Sequence, residues 1–219
     1  MAKSEWSLSK GREKVFNLYK KRAAKYKPAR TAGPDYLDKI VKLAAVSQFT
    51  QLLGTIPYAI VGGFAVALHG NPRLTQDIDL LVSPNDLPAA QQAMERAGGR
   101  ASNSLSIGGV AMSVNGTEVD LIALDAPWAN EAIGSATSSS QGRVVTKPYL
   151  VLMKLWASRG EQEDLDMITL LRGMGQPEWN QTLGLVKKYL PNDVDDIKNL
   201  REYSTLDSGA KNAADQAAH

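Results

Sequence analysis

The chain has 219 residues, 43% hydrophobic and 22% charged, with a net charge of +2, the proportions of an ordinary globular protein of one domain or a domain with a small helical appendage. The absence of cysteine excludes disulfides, zinc–thiolate sites and thiol nucleophiles. No apolar run approaches the ~18 residues of a membrane span and the N-terminus lacks a signal-peptide core, so we expect a cytoplasmic protein without a membrane partner.

Basic residues are concentrated at the N-terminus. Residues 1–30 hold ten Lys or Arg and two Glu, a charge of +8 that leaves −6 for the rest. Val15, Leu18 and Tyr19 fall at helical spacing, which predicts a helix over residues 10–26 with a basic face. Such a face either binds phosphates, with release of counterions, or is the solvated side of a helix packed on the body. The residues alone leave both interpretations open.

A strand, two glycines and a helix follow one another in the next part of the chain. Residues 35–53 predict a helix, and the apolar run 58–61 predicts a strand. Gly62 and Gly63 then lead into a short helix, an arrangement that exposes backbone N–H groups at a helix start and suits a phosphate. His69, at the end of that helix, is expected to be a hydrogen-bonded turn residue rather than a catalytic base.

Two carboxylates interrupt an apolar run that predicts a strand over residues 77–82. Asp77 and Asp79 alternate with Ile78 and Leu80, so the two carboxylates share a face, with Cα atoms about 6.6 Å apart. Because burying an unpartnered carboxylate is strongly unfavourable, the pair predicts a bound cation. Oxygen ligands alone favour Mg²⁺ or Mn²⁺.

A second strand with carboxylates comes later in the chain. Residues 86–97 predict a helix with an aspartate N-cap, and residues 100–117 predict short antiparallel strands joined by glycine turns. Residues 118–122 predict the next strand, in which Asp120 shares a face with Glu118. Glu118 is the weaker candidate for a ligand.

The last part of the chain is mostly helical by its apolar spacing. The predicted elements are a loop over 132–142, an edge strand over 143–145, and helices over 146–158, 177–189 and 193–203. Lys154 lies inside the first of these helices, where it either binds an anion or extends its ammonium to water. The predicted organisation is an N-terminal segment 1–34, a core 35–146, a helical region 147–203 and a flexible tail 204–219.

The glycine pair and the first two carboxylates form a motif with residues between them. Gly62-Gly63, followed by Arg73-x-Thr75-x-Asp77-Ile78-Asp79, resembles the signature of the polymerase-β-type nucleotidyltransferase superfamily. The HG-x-x-R-x-T-x-D-I-D pattern is most similar to the AbiEii-like toxin nucleotidyltransferases of bacterial toxin–antitoxin and abortive-infection systems. The superfamily often has Gly-Ser where this chain has two glycines, so a hydroxyl that could contact a phosphate is missing.

The resemblance implies an α/β (α+β) nucleotidyltransferase fold, in which a mixed central sheet is flanked by helices and followed by a helical bundle. It implies that Asp77 and Asp79 bind Mg²⁺ (or Mn²⁺), and that Asp120 completes the metal site and acts as general base. Gly62 and Gly63 would seat the phosphates of a nucleoside triphosphate.

The resemblance also assigns roles outside the carboxylates. Arg73 would contact a phosphate or pair with Asp77, and Thr75 would lie on the nucleotide side. Lys154 would offset charge on the leaving pyrophosphate, with Asp166 close to it.

The implied activity is transfer of a nucleoside monophosphate from an NTP to an acceptor hydroxyl. RNA, and the tRNA 3′ end in particular, is the leading acceptor because of the basic N-terminal helix, and a toxin role with a partner antitoxin follows from the family. Two alternatives remain open. One is transfer to a protein or small-molecule hydroxyl such as that of an aminoglycoside, and the other is a catalytically silent module that binds RNA or protein.

Overall fold

The structure, a computed structural model, describes residues 46–70, 77–157 and 161–216. The predicted basic helix 10–26, Arg73 and Thr75 lie outside these residues. The described residues form two compact units, which cover residues 46–150 and 151–216. None of the described helices combines the length and apolarity needed to cross a membrane.

The first unit is built on a seven-stranded sheet. Its strands are β1 Tyr58–Ile60, β2 Asp77–Val82, β3 Arg100–Ser104, β4 Gly109–Val114, β5 Thr117–Ile122, β6 Thr137–Ser139 and β7 Gly142–Val144. Its helices are α1 at 46–52, α2 Gly62–Leu68, α3 Leu87–Arg96 and α4 Ala129–Ser135, and α5 Lys147–Ala157 leads out of it. The strand order is β3-β4-β5-β2-β1-β7-β6. The predicted α/β class, a mixed sheet flanked by helices, is confirmed.

Strand β2 lies at the centre of the sheet. It pairs antiparallel with β1 and parallel with β5. Ile78 and Leu80 on one face and Leu81 on the other are all at most 2% exposed. A strand buried on both faces needs a nearly continuous apolar run, which is what its C-terminal half provides. The polar exceptions are therefore confined to its N-terminal half, where Asp77 and Asp79 lie.

Strands β3, β4 and β5 form an antiparallel meander with one covered face. The β4–β5 turn is made by Asn115 and Gly116, whose φ angles are 52° and 77°, as the asparagine–glycine turn signal predicts. Met112, Val114 and Val119 are 0% exposed, and α3 packs on this side of the meander. The opposite face carries the alternate side chains of the same strands.

The sheet ends differently from the prediction at residues 132–145. The predicted loop 132–142 contains the end of α4 and the strand β6, and β7 is not an edge strand, because it lies between β1 and β6. Burial of Ala132 and Ile133 holds α4 in place, whereas β6 is exposed throughout. A strand of small polar residues without a buried face has no hydrophobic alternation to reveal it.

The second unit consists of helices. They are the end of α5, α6 Glu161–Arg172, α7 Gln176–Tyr189 and α8 Val194–Gln216, with a 3₁₀ turn Pro191–Asp193 before α8. The sequence predicts an end near Tyr203, but α8 continues to Gln216 because no proline interrupts it. The predicted flexible tail 204–219 is therefore helical to that point.

Arg201 of α8 forms hydrogen bonds at the C-terminal end of α6. Its guanidinium donates to the carbonyls of Leu171 and Met174 and lies 5.7 Å from the centroid of the Trp179 ring. The last carbonyls of a helix have no partner within the helix and carry partial negative charge. Arg201 therefore donates to one carbonyl of the last turn of α6 and to the Met174 carbonyl just beyond the helix, and it also lies over an aromatic face.

Candidate metal and nucleotide site

Three aspartates meet on one face of the central sheet. In the parallel pairing of β2 with β5, Asp79 lies opposite Asp120, and Asp77 lies opposite Glu118. Cross-strand partners share a face, and so do residues two apart on one strand. The sheet register therefore brings Asp120 to the predicted pair from a strand that is distant in the chain.

The three carboxylates have the donor set and spacing of a cation site. Asp77, Asp79 and Asp120 each offer an oxygen, and these oxygens all lie within 4.8 Å of one another. All three side chains are half-buried, so water does not fully screen their repulsion. An all-oxygen set fits Mg²⁺ or Mn²⁺, and the residues present thus suit the metal that the resemblance implies.

Gly62 lies directly against the carboxylate of Asp79. Its φ angle is +61°, in the left-handed region, and a Cβ placed there would overlap the Asp79 carboxyl group. The neighbouring Val61 N–H donates to the Asp79 carbonyl at 3.0 Å. The first glycine is therefore required both by its own backbone conformation and by the space that the Asp79 side chain occupies.

Burial and neighbouring carboxylates together shift the pKa of Asp120. Burial raises the pKa of Asp120 from the ordinary 3.8, and the charges of Asp77 and Glu118 raise it further. A higher pKa makes a carboxylate a better proton acceptor near neutral pH. The same repulsion is relieved when a cation binds between the carboxylates.

Gly63 and His69 mark the two ends of α2. Gly63 is buried in its first turn, and its N–H belongs to the group that has no partner inside a helix. His69 caps the C-terminal end, and its Nε2 lies 2.7 Å from the carbonyl oxygen of Val145. The prediction that His69 is a hydrogen-bonded turn residue is confirmed.

Lys154 and Asp166 form a buried ion pair in the helical unit. Lys154 Nζ lies 2.7 Å from Asp166 Oδ2, and the two side chains are 10% and 4% exposed. The interpretation of Lys154 as a lysine that extends its ammonium to water is therefore wrong. The closeness of the two residues agrees with what the resemblance implies, and their roles toward a nucleotide stay predictions.

Glu118 is a fourth carboxylate on the face of the aspartates. It is exposed, and among the described residues its side chain makes no hydrogen bond or ion pair. Its spacing of two from Asp120 is the signal that places it there. Sequence reasoning ranks Glu118 below Asp120 as a ligand, and its exposure agrees with that ranking.

No family model and no curated protein matches the chain. Among solved structures, it is similar to the antibiotic-resistance factor ANT(2″)-Ia, with 16% identity, 82% of this chain and 96% of the other covered, and a TM-score of 0.40. It is similar to JHP933 of Helicobacter pylori, with 13% identity, 84% and 100% coverage, and a TM-score of 0.44. It is also similar to the Megavirus polyadenylate synthase, with 13% identity, 79% and 39% coverage, and a TM-score of 0.46. At these values the activity has to be argued from the site itself.

Proposed function

We propose that the chain is a divalent-metal-dependent nucleotidyltransferase, which moves a nucleoside monophosphate from an NTP to an acceptor hydroxyl. The observation that carries this proposal is the register of β2 and β5, which sets Asp79 opposite Asp120 with Asp77 beside them. Three carboxylate oxygens within 4.8 Å of one another form the all-oxygen donor set that Mg²⁺ and Mn²⁺ prefer, and this supports a cation site.

The three aspartates have two roles in the proposed reaction. Asp77 and Asp79 would hold the cations, and bound cations would supply positive charge against the triphosphate. Asp120, which lies opposite Asp79 on the neighbouring strand, accepts the proton of the acceptor hydroxyl. The hydroxyl oxygen forms a bond to the α-phosphorus, the bond from this phosphorus to the bridging oxygen breaks, and pyrophosphate leaves.

The glycines and the remaining predicted residues bind the nucleotide in this proposal. Gly62 and Gly63 offer backbone N–H groups at the start of α2 next to Asp79, so a phosphate there would lie close to the cations. The phosphate contacts of Arg73 and Thr75, and the roles of Lys154 and Asp166 toward pyrophosphate, rest on the sequence motif.

RNA is the proposed acceptor, with the tRNA 3′ end first, and the proposed biological role is that of a toxin held in check by an antitoxin protein. The charge of +8 over residues 1–30 supports a polyanionic acceptor, and the AbiEii-like motif supports the toxin role. The protein and small-molecule acceptors become outcomes of the test rather than parts of the proposal.

Label transfer tests the activity. The purified chain is incubated with each α-labelled NTP, Mg²⁺ and either total tRNA or a cell lysate, and the labelled product is identified. We expect labelled RNA with the wild type and none with Asp77→Ala/Asp79→Ala. Equal labelling by the double variant, with its fold retained, contradicts the proposal. Labelling of a protein or a small molecule keeps the activity and replaces the acceptor.

Deletion of residues 1–30 tests the acceptor. The dependence of RNA affinity on salt concentration becomes shallower if the deleted lysines and arginines contact phosphates. An unchanged slope removes the N-terminal segment from the proposal. Growth arrest on expression, relieved by the product of a neighbouring reading frame, tests the toxin role separately.

A further inference from the structure

The face that carries the aspartates continues across β4 and onto β3, where the register with β4 shifts between Ala101 and Asn103. Two rows of cross-strand partners run over it. One row is Asp77, Glu118, Ser113 and Arg100, and the other is Asp79, Asp120, Ala111 and Asn103. With strands about 4.8 Å apart, each row reaches about 14 Å from β2 to β3.

This part of the sheet has one covered and one open face. The covered face holds Met112 and Val119, both 0% exposed, under α3. On the open face Arg100, Asn103 and Glu118 are exposed, while Ser113 and Ala111 are half-exposed. The open side chains are small or polar, so this face is not an uncovered piece of hydrophobic core. We call the set Arg100, Asn103, Ser113 and Glu118 the shelf.

Charge changes sign along the shelf. Glu118 adjoins the aspartates, Ser113 follows on β4, and Arg100 follows on β3, about 10 Å from Glu118 by two strand spacings. Among the described residues, neither Glu118 nor Arg100 makes a side-chain hydrogen bond or an ion pair. A ligand with hydroxyls at one end and an anionic group further along would match this order.

We propose that the shelf binds the acceptor as the 3′ end of a polyribonucleotide. The terminal ribose lies over β5, where Glu118 accepts a hydrogen bond from the hydroxyl that does not attack and Asp120 faces the one that does. A phosphate of the strand lies over β3, where Arg100 donates to it. This inference rests on the proposed function, and it adds where the acceptor lies and which residues select it.

A polycationic acceptor fits this surface less well. Its amino groups would gain from Glu118 and the aspartates but would meet Arg100 at the outer edge, where like charges repel. A phosphate has the opposite preference, since it is attracted by Arg100 and repelled by Glu118. The shelf therefore also fixes the direction of the strand, with its hydroxyl end toward the metal site.

Binding of a short 5′-fluorescein-labelled oligoribonucleotide, followed by anisotropy in Mg²⁺, tests the shelf. Arg100→Glu should weaken the affinity about tenfold, the effect expected for losing one charge-assisted phosphate contact. Arg96→Glu is the matched control, because Arg96 is also exposed and makes the same charge change but lies on α3, on the covered side of the sheet. Equal losses in both variants, or no loss with Arg100→Glu, overturn the proposal.

The 3′ terminus supplies a second measurement that does not depend on Arg100. The wild type should bind an oligonucleotide ending in a 3′-phosphate several-fold more weakly than one ending in a free ribose, and Glu118→Gln should shrink this difference. An unchanged difference assigns no role to Glu118 and overturns its place in the shelf.

Label transfer by the same variants separates this inference from the proposed function. If transfer proceeds and Arg100→Glu leaves the KM for RNA unchanged, the shelf is wrong and the activity stands. If both binding effects occur but no NTP gives a labelled product, the shelf stands as an RNA-binding surface and the proposed activity fails.

Discussion

Both units hold ionisable side chains that are partly or almost fully removed from water. Like charges lie together in the sheet unit, and opposite charges are paired in the helical unit. In the sheet unit, Asp77, Asp79 and Asp120 repel one another. In the helical unit, Lys154 and Asp166 neutralise each other almost entirely out of solvent. The first arrangement gathers like charges at the spacing of cation ligands, and the second pairs opposite charges. A cluster of like charges is the stronger indication of a functional site.

The largest expected effect tests whether the sheet cluster is the functional one. Asp79→Asn keeps the shape of the side chain but removes a charge that holds cations, so transfer should fall by about 10³-fold or more. Asp125→Asn, an exposed aspartate in the loop after β5, is the matched control and should transfer normally. The steady-state rate of label transfer is measured for the wild type and both variants. Equal losses in the two variants would contradict a specific role for Asp79.

The next effect tests how much each member of the buried ion pair in the helical unit depends on the other for stability. Asp166→Asn leaves the Lys154 ammonium buried without its counter-charge, so the free energy of unfolding should fall by about 3–5 kcal/mol. Replacing both members, as in Lys154→Met/Asp166→Leu, should restore most of the loss. Urea unfolding of the single and double variants gives both values, and a double variant as unstable as the single would show that the pair is held by more than its mutual attraction.

Gly62 gives a further test of the sheet cluster, because the Asp79 carboxylate occupies the space that a side chain at Gly62 would need. Gly62→Ala should cost at least about 1–2 kcal/mol from its positive φ, and more because Asp79 must move. Gly184→Ala, in the interior of α7 with no atom near the added methyl, should instead stabilise by about 0.5–1 kcal/mol. Thermal unfolding compares the two, and a tolerated Gly62→Ala would contradict the tight contact.

The smallest effect concerns the pH dependence of the sheet cluster. Because the pKa of Asp120 is raised in the folded, metal-free protein, protonated Asp120 stabilises the fold. This contribution to the free energy of unfolding is full below about pH 3.8 and is lost as the pH rises through the raised pKa. Above that range, Asp120→Asn should be more stable than the wild type in EDTA, by less than about 1 kcal/mol because solvent screens the repulsion. With Mg²⁺ the order should reverse, since metal binding stabilises the wild type more. Melting curves recorded across this pH range, in EDTA and in Mg²⁺, test both expected orders of stability.

Alternation along a strand decides which face a carboxylate takes, so the sequence alone predicts part of the arrangement of the candidate site. The pairing of Asp77 with Asp79 follows from their spacing alone. Their meeting with Asp120 needs the parallel register of β2 and β5, which packing of distant strands decides and which only the family resemblance implied.

The errors lie where apolar residues are scarce. The strand β6, made of Thr and Ser, and the Ala-rich helix α4 carry no amphipathic stripe strong enough to predict them. Their identity as helix and strand comes from neighbours, because β6 is held by pairing with β7 and α4 by burial of Ala132 and Ile133.

The parallel pairing of β2 with β5 has a consequence for how the protein assembles. The loop that brings Asp120 to Asp79 contains a helix and two strands, so its closure is a non-local event that is slow compared with forming β1, α2 and β2. A partly folded chain would therefore present two ligands and hold cations weakly. Tight uptake of Mn²⁺ during refolding would report the moment at which the whole sheet is in register.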